Sequence, residues 1–247
     1  MTALWLMLVF MHGDALSART DSLFRAGEAQ PSYAAALAHV AIAPNDYDAL
    51  WRAARAEVTR GVLSSADAHA KAQIYESGEQ FAHRAIARNP GRPEGHYWLA
   101  AAMGLHADNV SPLSSARLAA GVHHEALRIV EIDSLFAGGH ALLGKLNSNA
   151  CTLNPFMRFF AAAVIGSSIM RAASCAAAER ELSRAIALDS GEMIFRVYMT
   201  ELLVRTHRIA EAEHEVAFMT SLPPRTPADT ALVHSIGGVV DHARAHP

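Results

Sequence analysis

Apolar residues recur every three or four positions along most of the chain, and short polar or proline-bearing breaks interrupt them. That spacing predicts amphipathic α-helices joined by turns. The clearest stretch begins at Ala177 and runs through Leu182, Ala185, Ile186 and Leu188 to Asp189-Ser190. A helix is expected from about Met193 to Val204, then a polar turn at Arg205-Thr206-His207-Arg208, then another helix running toward Leu222-Pro223-Pro224. The two segment ends, Ser190 and Pro224, lie 34 residues apart. Ala178 and Ala212 each stand twelve residues before an end, where a small side chain lets paired helices approach closely.

A helix–turn–helix unit of about 34 residues closing near a proline is the tetratricopeptide pattern. The phrase recurs upstream with looser spacing. His83 to Pro90 nearly repeats Ser183 to Ser190, and Glu125 to Ser134 is a third copy. Units close near residues 44, 90, 134, 190 and 224, with gaps of 46, 44, 56 and 34. The extra residues fall at Gly61 to Asp67, His106 to Ser115 and Asn149 to Ser174. New helices open with matching texture at Glu94-Gly95-His96 and Gly138-Gly139-His140. One helical hairpin cannot cover its own apolar face, so successive hairpins are expected to stack and share a core, with binding on the concave face.

Three segments stand apart. Ala3 to Met11 is apolar and too short for a membrane span, and Leu16-Ser17-Ala18 offers a cleavage point, so residues 1–18 read as an export signal lacking an early Lys or Arg, the alternative being a start-site artefact or a buried N-terminal helix. Exported, the mature chain would be periplasmic or secreted; without a signal it would stay cytoplasmic. Pro155 to Gly166 is the most apolar stretch that follows, and its uncharged part, Phe159 to Met170, is again too short to span a bilayer. It reads as an extra helix in the array, or as an interfacial helix or cavity wall with Arg158 and Arg171 at its polar ends. Thr226 to Ala245 reads as an amphipathic capping helix, with Leu232, Val233, Ile236 and Val240 on one face. The fold expected is therefore all-α: a tetratricopeptide-like α-solenoid over 19–247 with irregular, lengthened repeats and a C-terminal cap.

Composition agrees. Fifty of the 247 residues are alanine, the best helix former, and 51% are hydrophobic. A formal charge of −3 provides no basic stripe for nucleic acid. Cys151 and Cys175 could pair in an oxidising compartment, but both sit in apolar helical stretches, and the reading favoured is free, core-packed thiols.

The fourteen histidines invite a metal, but the spacings do not support one. His207, Glu211 and His214 share a face only if a helix starts at His207. His123-His124-Glu125 is followed by Arg128 where a zinc helix needs its second histidine, and His242 and His246 lie at the terminus. No nucleophile elbow, phosphate loop or dinucleotide fingerprint occurs, so no enzyme, cofactor or metal is expected. Projecting ideal repeat positions onto the first helices gives a concave lining of Arg52, Thr59, Glu94, Tyr97, Ala141, Lys145, Ser148, Val197, Glu201 and Val204. Phe159 and Phe160 are candidates for an apolar ligand wall. A groove that captures a peptide carboxylate usually clusters Lys, Arg and Asn, and here only Arg52 and Lys145 are in place; an apolar tunnel with one or two cations at its mouth would instead suit an acyl or lipid-like ligand.

The order Leu50-Trp51-Arg52, His83 to Pro90, His96-Tyr97-Trp98, the long third unit, and Leu222-Pro223-Pro224 followed by Thr226-Pro227-Ala228-Asp229 resembles the tetratricopeptide domain of the regulator of microtubule dynamics family, including bacterial relatives. That resemblance spans about residues 30–245 and implies a non-enzymatic protein; animal members associate with microtubules, and one binds phospholipid at organelle contacts. This chain departs from them in its expected export signal and in lacking a long coiled coil. It also resembles periplasmic tetratricopeptide lipoproteins of solute transporters, but no Cys follows the apolar run. The expected function is an envelope scaffold for a protein or peptide partner; the alternative is a binding protein for a lipid or other apolar ligand.

Overall fold

The computed structural model describes residues 2–246, with side chains from Gly13 onward except those of Ile165, Ser167 and Ser168. Side chains of the apolar run Ala3 to Met11, and with them the core of the expected export signal, lie outside the described residues. Regular structure among the described residues is helical throughout, in two compact units. The first pairs α1 (Thr2–Arg25) with α2 (Ala29–Ile42), α3 (Tyr47–Leu63) with α4 (Ala68–Arg88), and α5 (Pro93–Ala107) with α6 (Pro112–Ile132). The second pairs α7 (Ala137–Cys151) with α10 (Cys175–Leu188), and α11 (Met193–Arg205) with α12 (Ile209–Ser221). Between α7 and α10 come α8 (Pro155–Ile165) and α9 (Ser167–Ala172), and α13 (Pro227–Ala245) packs on α11 and α12.

Local chemistry explains the boundaries. Asp46, Asp67, Asn154 and Ser174 each accept a backbone N–H at the start of a helix. Pro93, Pro155 and Pro227 occupy first turns, where the missing N–H costs nothing. Thr226 and Asp229 form a reciprocal capping box on α13. His207 takes a left-handed φ of 59° in the polar turn before α12, so α12 starts beyond it.

Within each hairpin the helices meet on small residues. Ala53, Ala54, Ala82, Ala85, Ala100, Ala126, Ala178, Ala185 and Ala212 are fully buried. A Cβ at Gly144 of α7 would sit 2.6 Å from Leu182 Cγ of α10, so only glycine fits there. Polar staples then set the register. His96 of α5 places Nδ1 2.6 Å from Glu125 of α6 and Nε2 3.1 Å from the Pro90 carbonyl. His140 of α7 repeats the arrangement with Glu181 of α10, at 2.8 Å, and the Ser134 carbonyl, at 3.0 Å.

The expectation of free thiols is overturned. Cys151 and Cys175 form a disulfide, with Cα atoms 5.4 Å apart. Cys151 ends α7 and Cys175 begins α10, so the antiparallel hairpin brings the base of the insertion together. Within the insertion Gly166 turns the chain at φ 112°, a conformation that favours glycine. Arg158 does not reach outward from a polar end. Its guanidinium donates to the carbonyls of Ala150, Met170 and Ala173 at 3.1, 2.6 and 2.9 Å, fastening α8 and α9 to the end of α7.

Ala185→Asp should place an unpaired charge between α7, α10 and α11 and lower unfolding stability by more than about 3 kcal/mol in denaturant titration; an unchanged midpoint would refute the register. Cys151→Ser, or reduction, should cost about 3 kcal/mol, because the bond closes a loop with a sequence separation of 24. Equal midpoints with and without reductant would contradict that.

Candidate functional site

Of the candidate residues in the first unit, Arg52 and Glu94 belong to a continuous charged network. Arg52 donates to Asp21 of α1 at 2.9 and 3.0 Å and to Asp48 at 3.0 Å, while its guanidinium lies 4.2 Å over the Trp51 ring. Arg55, 7% exposed, donates to Asp21 Oδ1 at 2.6 Å, the oxygen that Arg52 Nε also reaches, and lies over Phe24. Arg92 bridges Asp48 at 3.0 Å and Glu94 at 2.8 Å. Glu94 also accepts from the Tyr47 hydroxyl, which itself accepts from the Gly95 N–H. Thr59 donates to the Arg55 carbonyl within its own helix, and Tyr97 packs edge to face on Trp98.

Electrostatics follow from this wiring. Burial pushes the Asp21 carboxyl up, but hydrogen bonds and charge from Arg52 and Arg55 outweigh it and hold it below the usual carboxylate range. Asp48 is likewise held low despite burial, by donors from Trp51, Arg92 and Arg52. Burial lowers Arg55 against the pull of Asp21. Arg52 is therefore not the loose surface cation that ideal repeat positions imply; it is a structural tie as well as a charge on the first-helix face.

In the second unit Lys145 of α7 pairs with Glu201 of α11 and lies 4.9 Å from the Tyr198 ring centre. Ala141, Ser148 and Val197 are buried, so they serve packing rather than a surface lining. Val204 packs against the core formed by α10, α11 and α12. Phe159 and Phe160 are 74% and 53% exposed, and with Phe156 they stack edge to face on the outer side of α8. They form an outward aromatic patch, not the wall of an enclosed cavity. A separate cavity of about 510 Å³ lies between α12 and α13, floored by Val216, Met219, Leu222 and Val233. Among the described residues no group of three or more His, Cys, Asp or Glu is placed to hold a metal, and no helix is long and apolar enough to cross a membrane.

The Asp21 tie and the two His–Glu staples were not found from the sequence. Asp21 adjoins the segment read as a leader, and only the repeated Gly-His texture of α5 and α7 signalled the staples. Asp21→Asn should cost about 2 kcal/mol at neutral pH by removing a charged acceptor from two arginines. A depressed folded value stabilises above the unfolded carboxylate value near 3.9 and loses that contribution as pH falls through the folded one. The deficit of Asp21→Asn should therefore shrink below about pH 4 in denaturation measured across pH; a deficit constant from neutral to strongly acid pH would contradict the charge assignment.

The fold is similar to that of a thermophilic TPR protein from Thermus thermophilus, with a TM-score of 0.66 and 16% identity over 92% of this chain and 97% of that one. No curated protein matches the chain significantly. The family model described as Regulator of microtubule dynamics protein 1-3 matches residues 16–241, a span that begins within α1 and ends within α13. By that match the chain belongs to the regulator of microtubule dynamics family.

Proposed function

We propose that the chain is a non-enzymatic scaffold that binds a protein or peptide partner in the bacterial cell envelope. The observation that carries the reading is that each unit holds fixed charges on its own first helices. Arg52, Arg92 and Glu94 in one unit, and Lys145 and Glu201 in the other, are fixed by partners yet keep part of their surface open to solvent. Fixed, half-buried charges recognise a partner at low entropic cost, because their rotamers are already chosen. The tetratricopeptide-like hairpins supply the rigid elements on which such side chains stand. The Cys151–Cys175 bond supports an oxidising compartment, where structural disulfides persist. Cleavage after Ala18 would also keep Thr20, Asp21 and Phe24, so the Arg52 and Arg55 ties would survive removal of a leader.

A second reading, binding of a lipid or other apolar ligand, is favoured by the exposed Phe156, Phe159 and Phe160 patch. Exposed apolar clusters on otherwise polar surfaces mark interaction sites.

Affinity purification from envelope fractions with the wild-type chain and with Lys145→Ala, checked for folding by circular dichroism, tests the first reading. Loss of a defined protein partner from the folded variant is expected. A partner set identical in Lys145→Ala and Glu94→Ala would remove these charges from the binding face. Native mass spectrometry with organic extraction tests the second reading: a co-purifying lipid supports it, and an empty chain counts against it.

A further inference from the structure

The first helices share a common frame when numbered from their starts at Tyr47, Pro93, Ala137, Met193 and Pro227. Pro227 follows Met193 by 34 residues, the full repeat period, so α13 stands where the first helix of another hairpin begins. Three residues in, each earlier helix meets the second helix of its own hairpin. Leu50 packs with Ala85 of α4, His96 pairs with Glu125 of α6, His140 with Glu181 of α10, and Arg196 donates to Glu215 of α12 at 2.8 Å. Seven residues in, Ala54, Ala100, Gly144 and Thr200 are all buried, with Ala54 near Gly78 of α4 and Gly144 against Leu182 of α10.

On α13 the same face carries Thr230, His234, Gly237, Gly238 and Asp241. It borders the cavity between α12 and α13, and Thr230, His234 and Asp241 are exposed. This cavity offers a seat of the kind that a second helix fills in the earlier hairpins. The two glycines are not required by packing inside the chain. A Cβ at Gly238 would meet nothing within 4 Å, and one at Gly237 would make only ordinary contact with Val216 at 3.7 Å. Glycine is the least favourable residue after proline inside a helix, so the pair costs helix propensity without a contact inside the chain that requires it; Gly104 at the equivalent place in α5 is likewise free of contacts.

We propose that α13 of a second copy of this chain occupies the seat, running antiparallel to the first. The second helix of every hairpin runs antiparallel to its first, and two α13 helices related by a two-fold axis do the same. If the axis passes between Gly237 and Gly238, the bare backbones meet at the crossing. His234 lies three residues before Gly237 and Asp241 three residues after Gly238, so each His234 faces Asp241 of the other copy, once at each end of the crossing. The pair takes the place of the His96–Glu125 and His140–Glu181 staples inside the chain. Asp241 engages Arg244 of its own helix through Oδ1, and Arg244 also reaches Glu213, so the local charges facing His234 of the incoming helix are net acidic. A single helix pair is a small interface, so the dimer is expected to be concentration dependent.

Sedimentation equilibrium of the full oxidised chain over a concentration series tests this, with a thermal melt on each variant. A monomer–dimer equilibrium is expected. Gly238→Leu should convert it to monomer without lowering the melting temperature, since the new side chain enters open space in the monomer. His234→Asp and Asp241→His should each weaken the dimer by about tenfold, and the double exchange should restore it. A chain that stays monomeric at every concentration would overturn the proposal. So would a dimer whose dissociation constant is unmoved by Gly238→Leu, or a double exchange no tighter than either single variant.

Discussion

Close approach of the two helices within each hairpin is the constraint from which the rest of the structure follows. An alanine or glycine at the crossing lets backbones come near enough for dispersion and burial to act along the whole contact, and any larger residue there forces them apart. Gly144 against Leu182 is the sharpest case, with Ala54, Ala85, Ala100, Ala126 and Ala178 its counterparts elsewhere. This explains why a chain with a fifth of its residues as alanine forms a firm core without many large side chains. The cost is weak specification, because alanine faces slide past one another with little penalty. The polar staples answer that. His96 with Glu125, His140 with Glu181 and Arg196 with Glu215 each pin a first helix to its second by a directional bond.

The same logic organises the surface. Charges on the first helices are held by neighbours within the chain, and α1 contributes Asp21 as the acceptor for two arginines of α3. The α8–α9 insertion is handled differently. A disulfide closes its base and Arg158 ties its ends, which leaves the aromatic face of α8 turned outward. Each unit therefore carries fixed charges on its first helices, and the insertion of the second unit carries an apolar face.

Much of this was legible in the sequence. The 3.6-residue periodicity located the hairpins from α3 onward, the turn at Arg205 to Arg208, the place of the insertion and the extent of α13, because each depends on local pattern and capping; the pairing of α1 with α2 was missed, since residues 1–18 read as a leader. Tetratricopeptide-like character followed from the spacing of unit ends. Tertiary return paths were not legible. The disulfide depends on α7 and α10 being partners across the insertion, and Arg52 is tied by a residue 31 positions away. Ser148 projected onto a groove under ideal repeat geometry, yet in α7 that position turns into the packing, as Val58 does in α3. Phe159 and Phe160 were recognisable as chemistry, but their direction depends on how Gly166 and Arg158 set the insertion.

Hydrogen exchange followed by mass spectrometry on the oxidised chain tests the account most directly, because exchange reads the free energy of local opening along the sequence. Slowest exchange should fall on α3 to α7 and α10, whose helices meet on alanine and glycine, with α8 exchanging much faster. Protection of α8 equal to that of α7 and α10 would contradict an architecture held together by close helix approach with the insertion standing outside it.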